Sequence, residues 1–229
     1  MPTSPETSAA EPSDPIDNAA PVVEVAAEPL VASTPARKRP KPGERRVQIL
    51  QTLASMLEQP GADRITTAAL AAKLDVSEAA LYRHFASKAQ MFEGLIEFIE
   101  HSVFTLINQI HEREAVALTQ VHKTLTVLLQ FAEKNPGMAR VMVGDALVFE
   151  NERLLARMNQ FFERFESQLR QSLRGRAETD GSATPTVDAN VQASVLTSFA
   201  VGRLQRFARS GFKRSPIEHL DAALRLLAS

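Results

Sequence analysis

Between residues 77 and 88 the chain reads SEAALYRHFASK. At helical spacing Glu78, Ala79, Tyr82 and Arg83 fall on one face, while Leu81 and Phe85, four apart, make the inward apolar pair. The outward face holds hydrogen-bonding ends rather than a nucleophile with its base: a carboxylate, a phenol, a guanidinium and the His84 imidazole beside them. Such groups suit the edges of base pairs. The Arg83 guanidinium matches guanine O6 and N7, or a phosphate. Glu78 accepts from a cytosine amine or favours the helix N-terminus, and the Ala79 methyl can touch a thymine methyl. Tyr82 offers a ring and a hydroxyl to base or phosphate, and His84 either donates to phosphate or packs as an ordinary histidine. Thr66, Thr67, Ser77 and Lys88 stand at expected helix starts, where hydroxyls, an ammonium and free N–H groups suit phosphate oxygens.

Presenting that face requires a short helix held by others. From Glu44 to Glu58, the spacing of Leu50, Leu53, Ala54 and Leu57 predicts a first helix, stopped by Pro60-Gly61. Thr66 suits the N-cap of a second, with Ile65 and Leu70 as a hydrophobic staple. Asp75 tolerates the left-handed conformation a tight turn needs. Ser77 repeats the cap, with Val76 and Leu81 as staple, and opens a third helix over about 78–84. Ser87 with Gln90 is a capping box that opens a long helix from Lys88 to about Ile110. The second and third helices thus form a helix-turn-helix with Leu70, Leu74, Val76 and Leu81 as its small core and Ala71 at the crossing. Set in a major groove, the third helix brings its N-terminal residues to base edges.

Charge marks the same block. Residues 1–36 hold six acidic residues, no Lys or Arg and seven of the thirteen prolines, which reads as a disordered acidic tail. Residues 37–90 hold ten Lys or Arg against five acids, and residues 91–229 sixteen of each. The middle block is the footprint of a polyanion partner or else a solvated face. Its first run, RKRPKPGERR, is a basic arm kept extended by prolines, in which Arg37, Lys38 and Arg39 can follow the minor groove or the backbone of DNA. The expected division is a tail and arm over 1–43, a DNA-binding unit over 44–90 and a helical unit over 91–229.

Several chemistries are excluded. The chain has no cysteine, hence no disulfide, thiolate metal site or Cys nucleophile. HERE at 111–114 is not a zinc-binding HExxH because residue 115 is Ala, and there is no P-loop or dinucleotide fingerprint. Glu97 and His101, one turn apart, read as a solvated pair. The expectation is no enzyme, no metal and no cofactor. No run of about 18 apolar residues offers a membrane span, and the N-terminus lacks a basic and apolar signal, which points to the cytoplasm.

The remaining pattern is helical throughout. Phe92, Leu95, Ile96, Ile99, Val103, Leu106, Ile107 and Ile110 make one stripe on the long helix. Phe98 and Phe104 lie roughly 120° to either side of it, each covered by another helix or free for a partner. Further helices are predicted over 119–133, 138–150, 151–174, 187–211 and 216–228, with GRAETDGSATPT at 175–186 as a polar loop. The class is all-α, with about nine helices. Val195, Phe199, Leu204, Phe207 and Leu224 on the last two helices either join the core or meet a second copy.

The stretch ITTAALAAKLDVSEAALYRHFASKAQMFEGLIEFIE, above all SEAALYRHFASK, resembles the N-terminal domain of the TetR family of bacterial helix-turn-helix proteins. With RITTAALA, LIEFIE, EKNPGMARVMVGDALVFE, RMNQFFERFESQLRQ and RSGFKRSP in the same order, the chain is similar over residues 44–216 to the members of that family that act in nucleoid occlusion. The resemblance implies a homodimer joined through the last two helices, which would set two recognition helices on a palindrome in double-stranded DNA. It also implies a nucleoid-associated protein that binds the division protein FtsZ and stops rings assembling over the chromosome. Phe98, Lys134 and Asn135 are candidates for that contact. The alternative within the family is a repressor released by a small ligand, for which His122, Gln130 and Asn159 are either pocket groups or ordinary surface residues.

Overall fold

A computed structural model describes residues 43–59 and 64–227. The acidic tail, Arg37, Lys38 and Arg39 of the arm, and the Pro60-Gly61 stop lie outside the described residues. Residues 40–229 fall in one compact unit. The described residues form nine α-helices and no strand: α1 (Glu44–Leu57), α2 (Thr67–Leu74), α3 (Glu78–Tyr82), α4 (Lys88–Arg113), α5 (Ala117–Lys134), α6 (Pro136–Met142), α7 (Glu152–Thr179), α8 (Pro185–Arg209) and α9 (Leu220–Leu227), with a 3-10 turn at Asp145–Leu147. None of the helices is long and apolar enough to cross a membrane.

The starts of α2, α3 and α4 are written in their caps. Thr66 Oγ1 accepts from Ala69 N at 3.1 Å and Ser77 Oγ from Ala80 N at 3.3 Å. Each cap satisfies an N–H that would otherwise lack a helical partner, worth about 1 kcal/mol. Asp75 takes the left-handed turn at φ 55°. The staple residues Ile65, Leu70 and Leu81 are buried, and Val76 packs against them. At α4, Ser87 Oγ accepts from Gln90 N at 3.2 Å, but the return bond of the box differs from expectation. The Gln90 side-chain Oε1 takes the N–H of Ala86, one residue further out, at 2.8 Å.

Packing corrects several sequence expectations. The buried face of α1 is centred on Ile49, Leu53 and Leu57, with Leu50 and Ala54 at its margin. On α4, Leu106 is exposed, while Phe104 is buried against Phe161 with ring centroids 5.2 Å apart. The helix expected over 138–150 stops at Met142, because Gly144 takes φ 85° and turns the chain into the 3-10 segment. The polar loop expected over 175–186 is mostly helix. α7 runs on to Thr179, supported by Arg174–Glu178 at 2.9 Å and Arg176–Asp180 at 3.1 Å, and by Thr179 Oγ1 donating to the Gly175 carbonyl. The true connection is residues 180–184, which folds α8 back along α7. The last helix begins at Leu220 rather than Pro216, since His219 at φ 54° interrupts the chain before it.

The closest backbone approach between α1 and the later helices is at α6. α6 crosses α1 so closely that a Cβ on Gly137 would stand 2.0 Å from the Ala54 carbonyl oxygen. Only glycine admits that approach. Arg140, one turn on, reaches the Leu57 carbonyl at 3.5 Å.

Candidate nucleic-acid interface

The turn between α2 and α3 sets the angle at which α3 leaves the body. Buried Leu70, Ala71, Leu74 and Leu81 fix that angle, and the opposite side of α3 is left to solvent. Ser77, Glu78, Ala79, Tyr82, Arg83 and His84 are all exposed, Tyr82 by 44 %. α3 ends earlier than expected, at Tyr82. His84 N and Phe85 N both return to the Leu81 carbonyl, at 2.9 and 3.1 Å, which tightens the last turn and drives Phe85 into the core. Arg83 and His84 therefore project from the tightened end rather than from helical turns.

Two of the expected phosphate ligands have partners inside the protein. Thr67 Oγ1 donates to Glu78 Oε2 at 2.5 Å, a bond between the starts of α2 and α3. It holds the Glu78 carboxylate across the turn, so Thr67 positions α3 in the free molecule. Lys88 Nζ pairs with Glu150, whose side chain is only 9 % exposed, and lies 5.7 Å from the Phe92 ring centroid. Thr66 remains exposed beside its cap.

The sequence reading missed Arg46. From α1 its guanidinium lies 4.2 Å over the Phe85 ring and donates to the His84 carbonyl at 3.2 Å. It clamps the end of α3 from below. The bond spans 38 positions, and no local spacing could reveal it. Arg64, exposed just before α2, adds positive charge to the same side of the sequence block.

A second surface lies on α4 and α5. Phe98 is 48 % exposed, and its ring centroid stands 6.1 Å from that of Phe131. Asn135 Nδ2 donates to the Phe131 carbonyl at 2.8 Å, and Lys134 beside it is exposed. Phe98 is thereby brought beside Phe131, whose carbonyl holds Asn135, the neighbour of Lys134. Of the five residues expected at a subunit interface, Leu204, Phe207 and Leu224 face the core of their own chain. Their bulk completes the protomer and leaves little surface for a partner. Val195 is exposed and Phe199 partly so, and the outward row on α8 continues through Val187 and Val191.

Of the suggested ligand groups, His122 and Gln130 line one cleft of about 410 Å³ beside α9, and Asn159 lies outside it. His122 pairs with Asp221 at 2.8 Å, and Gln130 and Asn159 are exposed. A cleft of about 670 Å³ opens elsewhere, between the end of α4, the start of α5 and α7. There Ser172 Oγ donates to Gln120 Oε1 at 2.7 Å and lies 3.4 Å from His111 Nε2. Burial holds the His111 imidazole below its ordinary pKa.

Residues 49–95 match the family described as bacterial regulatory proteins of the tetR family, and residues 115–229 match the SlmA-like, tetracyclin repressor-like C-terminal domain. The nucleoid occlusion factor SlmA of Aliivibrio fischeri strain MJ11 is 52 % identical over 191 residues, spanning 83 % of this chain and 97 % of that protein. That of Idiomarina loihiensis is 53 % identical over 178 residues, spanning 78 % and 90 %. Among solved structures, Bacillus subtilis FadR in complex with stearoyl-CoA superposes with a TM-score of 0.64 at 15 % identity, covering 80 % of this chain and 97 % of that one. Thermus thermophilus PfmR gives 0.63 at 20 % identity, covering 79 % and 96 %. These two share the fold. The named relatives are nucleoid occlusion factors and transcriptional regulators, none of them named as an enzyme.

Proposed function

Since the chain belongs to the SlmA family of nucleoid occlusion factors, built on the TetR helix-turn-helix fold, we propose that it binds palindromic chromosomal sites as a dimer and there engages FtsZ to keep division rings from assembling over the nucleoid. The observation that carries the DNA half is α3 itself: a short helix capped by Ser77 whose whole outward side, Glu78, Ala79, Tyr82, Arg83 and His84, is polar or small and free of the core. In this reading the unit over 44–90 reads DNA, with Arg83 on a base edge and Thr66, Ser77, Tyr82, His84 and Lys88 toward phosphates. Arg37, Lys38 and Arg39 follow the neighbouring groove or backbone. The unit over 91–229 supplies the dimer, through α8, and the partner surface. Reciprocity of coupling then requires that FtsZ tighten DNA binding as much as DNA tightens FtsZ binding.

The FtsZ half is supported by exposed Phe98, backed by the half-buried Phe131 ring and with Lys134 and Asn135 following Phe131 on α5, an aromatic centre with a polar rim. Phe98→Ala is expected to weaken FtsZ binding at least tenfold while leaving thermal stability and DNA affinity near wild type. An alanine variant that folds and holds FtsZ normally would remove this surface from the mechanism.

Genome-wide occupancy by crosslinking and sequencing tests the whole reading. Many palindromic sites across the chromosome, sparse near the replication terminus, are expected. The cleft around Ser172, Gln120 and His111 favours a second reading, a repressor released by a small molecule. One or two sites beside its own gene and a transporter or enzyme gene would select that reading instead.

A further inference from the structure

We propose that Glu150 is a built-in stand-in for a DNA phosphate at Lys88, so that the segment between α6 and α7 sets how tightly the protein holds DNA. The inference rests on the DNA-binding reading above. Lys88 is the first residue of α4, three residues beyond the Phe85 that closes the recognition unit. In the free protein the anion held by the Lys88 ammonium is the Glu150 carboxylate.

That carboxylate is placed by backbone. Gly144 at φ 85° and the 3-10 turn bring the chain round, Glu150 N donates to the Leu147 carbonyl at 3.0 Å, and Asn151 immediately caps α7 through Arg153 N at 3.1 Å. With Glu150 only 9 % exposed and Lys88 25 %, the pair is shielded far more than an ordinary surface pair.

The polarity of the seam is the second observation. Along α4 and α7 the acids stand on α4 and the arginines on α7: Glu93–Arg153 at 2.8 Å, Glu100–Arg157 at 2.7 Å and Glu97–Arg157 at 3.8 Å. At the DNA-facing end the order reverses, and the cation is on α4. A reversed pair adds nothing to the seam that the repeated arrangement would not supply. It does hold a lysine in place at a helix start while cancelling its charge until a phosphate competes for it. A phosphate arriving there replaces one anion by another, so Lys88 counts for less than a full phosphate contact in the wild type.

The test is a double-variant cycle read by Kd and its salt dependence on a palindromic duplex recovered by the occupancy experiment and on a shuffled duplex. Glu150→Gln should tighten both duplexes about three- to tenfold and steepen the slope of log K against log salt by about 0.9, one newly counted phosphate contact. Lys88→Met should weaken the wild type modestly and the Glu150→Gln protein strongly. In the Lys88→Met background Glu150→Gln should do nothing. An equal gain with Lys88 absent would mean only that a negative charge has been removed from the region, and would overturn the proposal. So would no gain in a Glu150→Gln protein of wild-type circular dichroism. If that variant unfolds, Glu150→Asp serves instead: it keeps the charge but withdraws the carboxylate by one methylene, and an affinity no higher than wild type sinks the idea. A wild-type protein that held neither duplex would sink the DNA-binding reading and this inference with it, whereas tight wild-type binding with a flat cycle would remove this inference alone.

Discussion

Arg83 stands at the end of a helix of five residues, where the next two N–H groups, of His84 and Phe85, return to Leu81, and its side chain is exposed. Few guanidiniums on the described surface are so free of protein partners and so close to a helix aimed outward. Arg83→Ala is expected to narrow the gap between target and shuffled duplexes by about 1–3 kcal/mol with little change in their salt slopes. Equal weakening of both duplexes would make Arg83 a phosphate ligand instead. His111 offers a different residue-scale prediction. Burial lowers its pKa, so the unfolded chain takes a proton before the folded one does. Its stabilising effect is complete above the unfolded value near 6.5 and is lost as pH falls from there through the lowered folded value. Melting temperature should therefore decline on acidification across that window, and His111→Gln should flatten this part of the profile. A slope unchanged by the substitution would assign it to other groups.

At the scale of elements, the close crossing of α1 and α6 is the feature with the largest mechanical consequence. Gly137→Ala puts a methyl 2.0 Å from the Ala54 carbonyl oxygen, a backbone atom that cannot swing away. One helix must shift. The expected loss is about 1–3 kcal/mol or more in urea unfolding, together with weaker DNA binding, since α1 carries the Arg46 clamp on α3. Full stability and affinity in that variant would show the crossing to be loose. The same elements show what the sequence revealed. Thr66, Ser77 and Ser87 announced three helix starts because caps are local chemistry, and Asp75 announced the turn for the same reason. The end of α7 was hidden because Gly175, Thr179 and Asp180 read as loop formers one at a time, whereas i,i+4 ion pairs hold them in helix together. The break at Gly144 was hidden too, since apolar residues flank Gly144-Asp145 on both sides.

For the whole molecule, periodicity told which residues are apolar but not which surface covers them. Leu204, Phe207 and Leu224 look the same in sequence as Val195, yet three close the protomer and one remains outside. Likewise Phe98 and Phe104 stood symmetrically about one stripe, and only the packing of α7 decided that Phe104 is covered. That asymmetry makes the dimer testable. Val191→Glu with Val195→Glu is expected to yield a folded monomer by sedimentation, with DNA affinity down at least a hundredfold because one recognition unit must act alone. Leu204→Ala should instead lower stability by about 2–5 kcal/mol and leave the subunit count unchanged once folded. A dimer that survives both glutamates would move the interface off the α8 row.

The chain has one tyrosine and no tryptophan, and that tyrosine is Tyr82, exposed on α3. All of its phenolic light emission therefore comes from the recognition helix. The unlabelled protein carries its own optical probe at the one place where contact with a duplex would be felt first, and quenching there on mixing gives the association rate without any added dye.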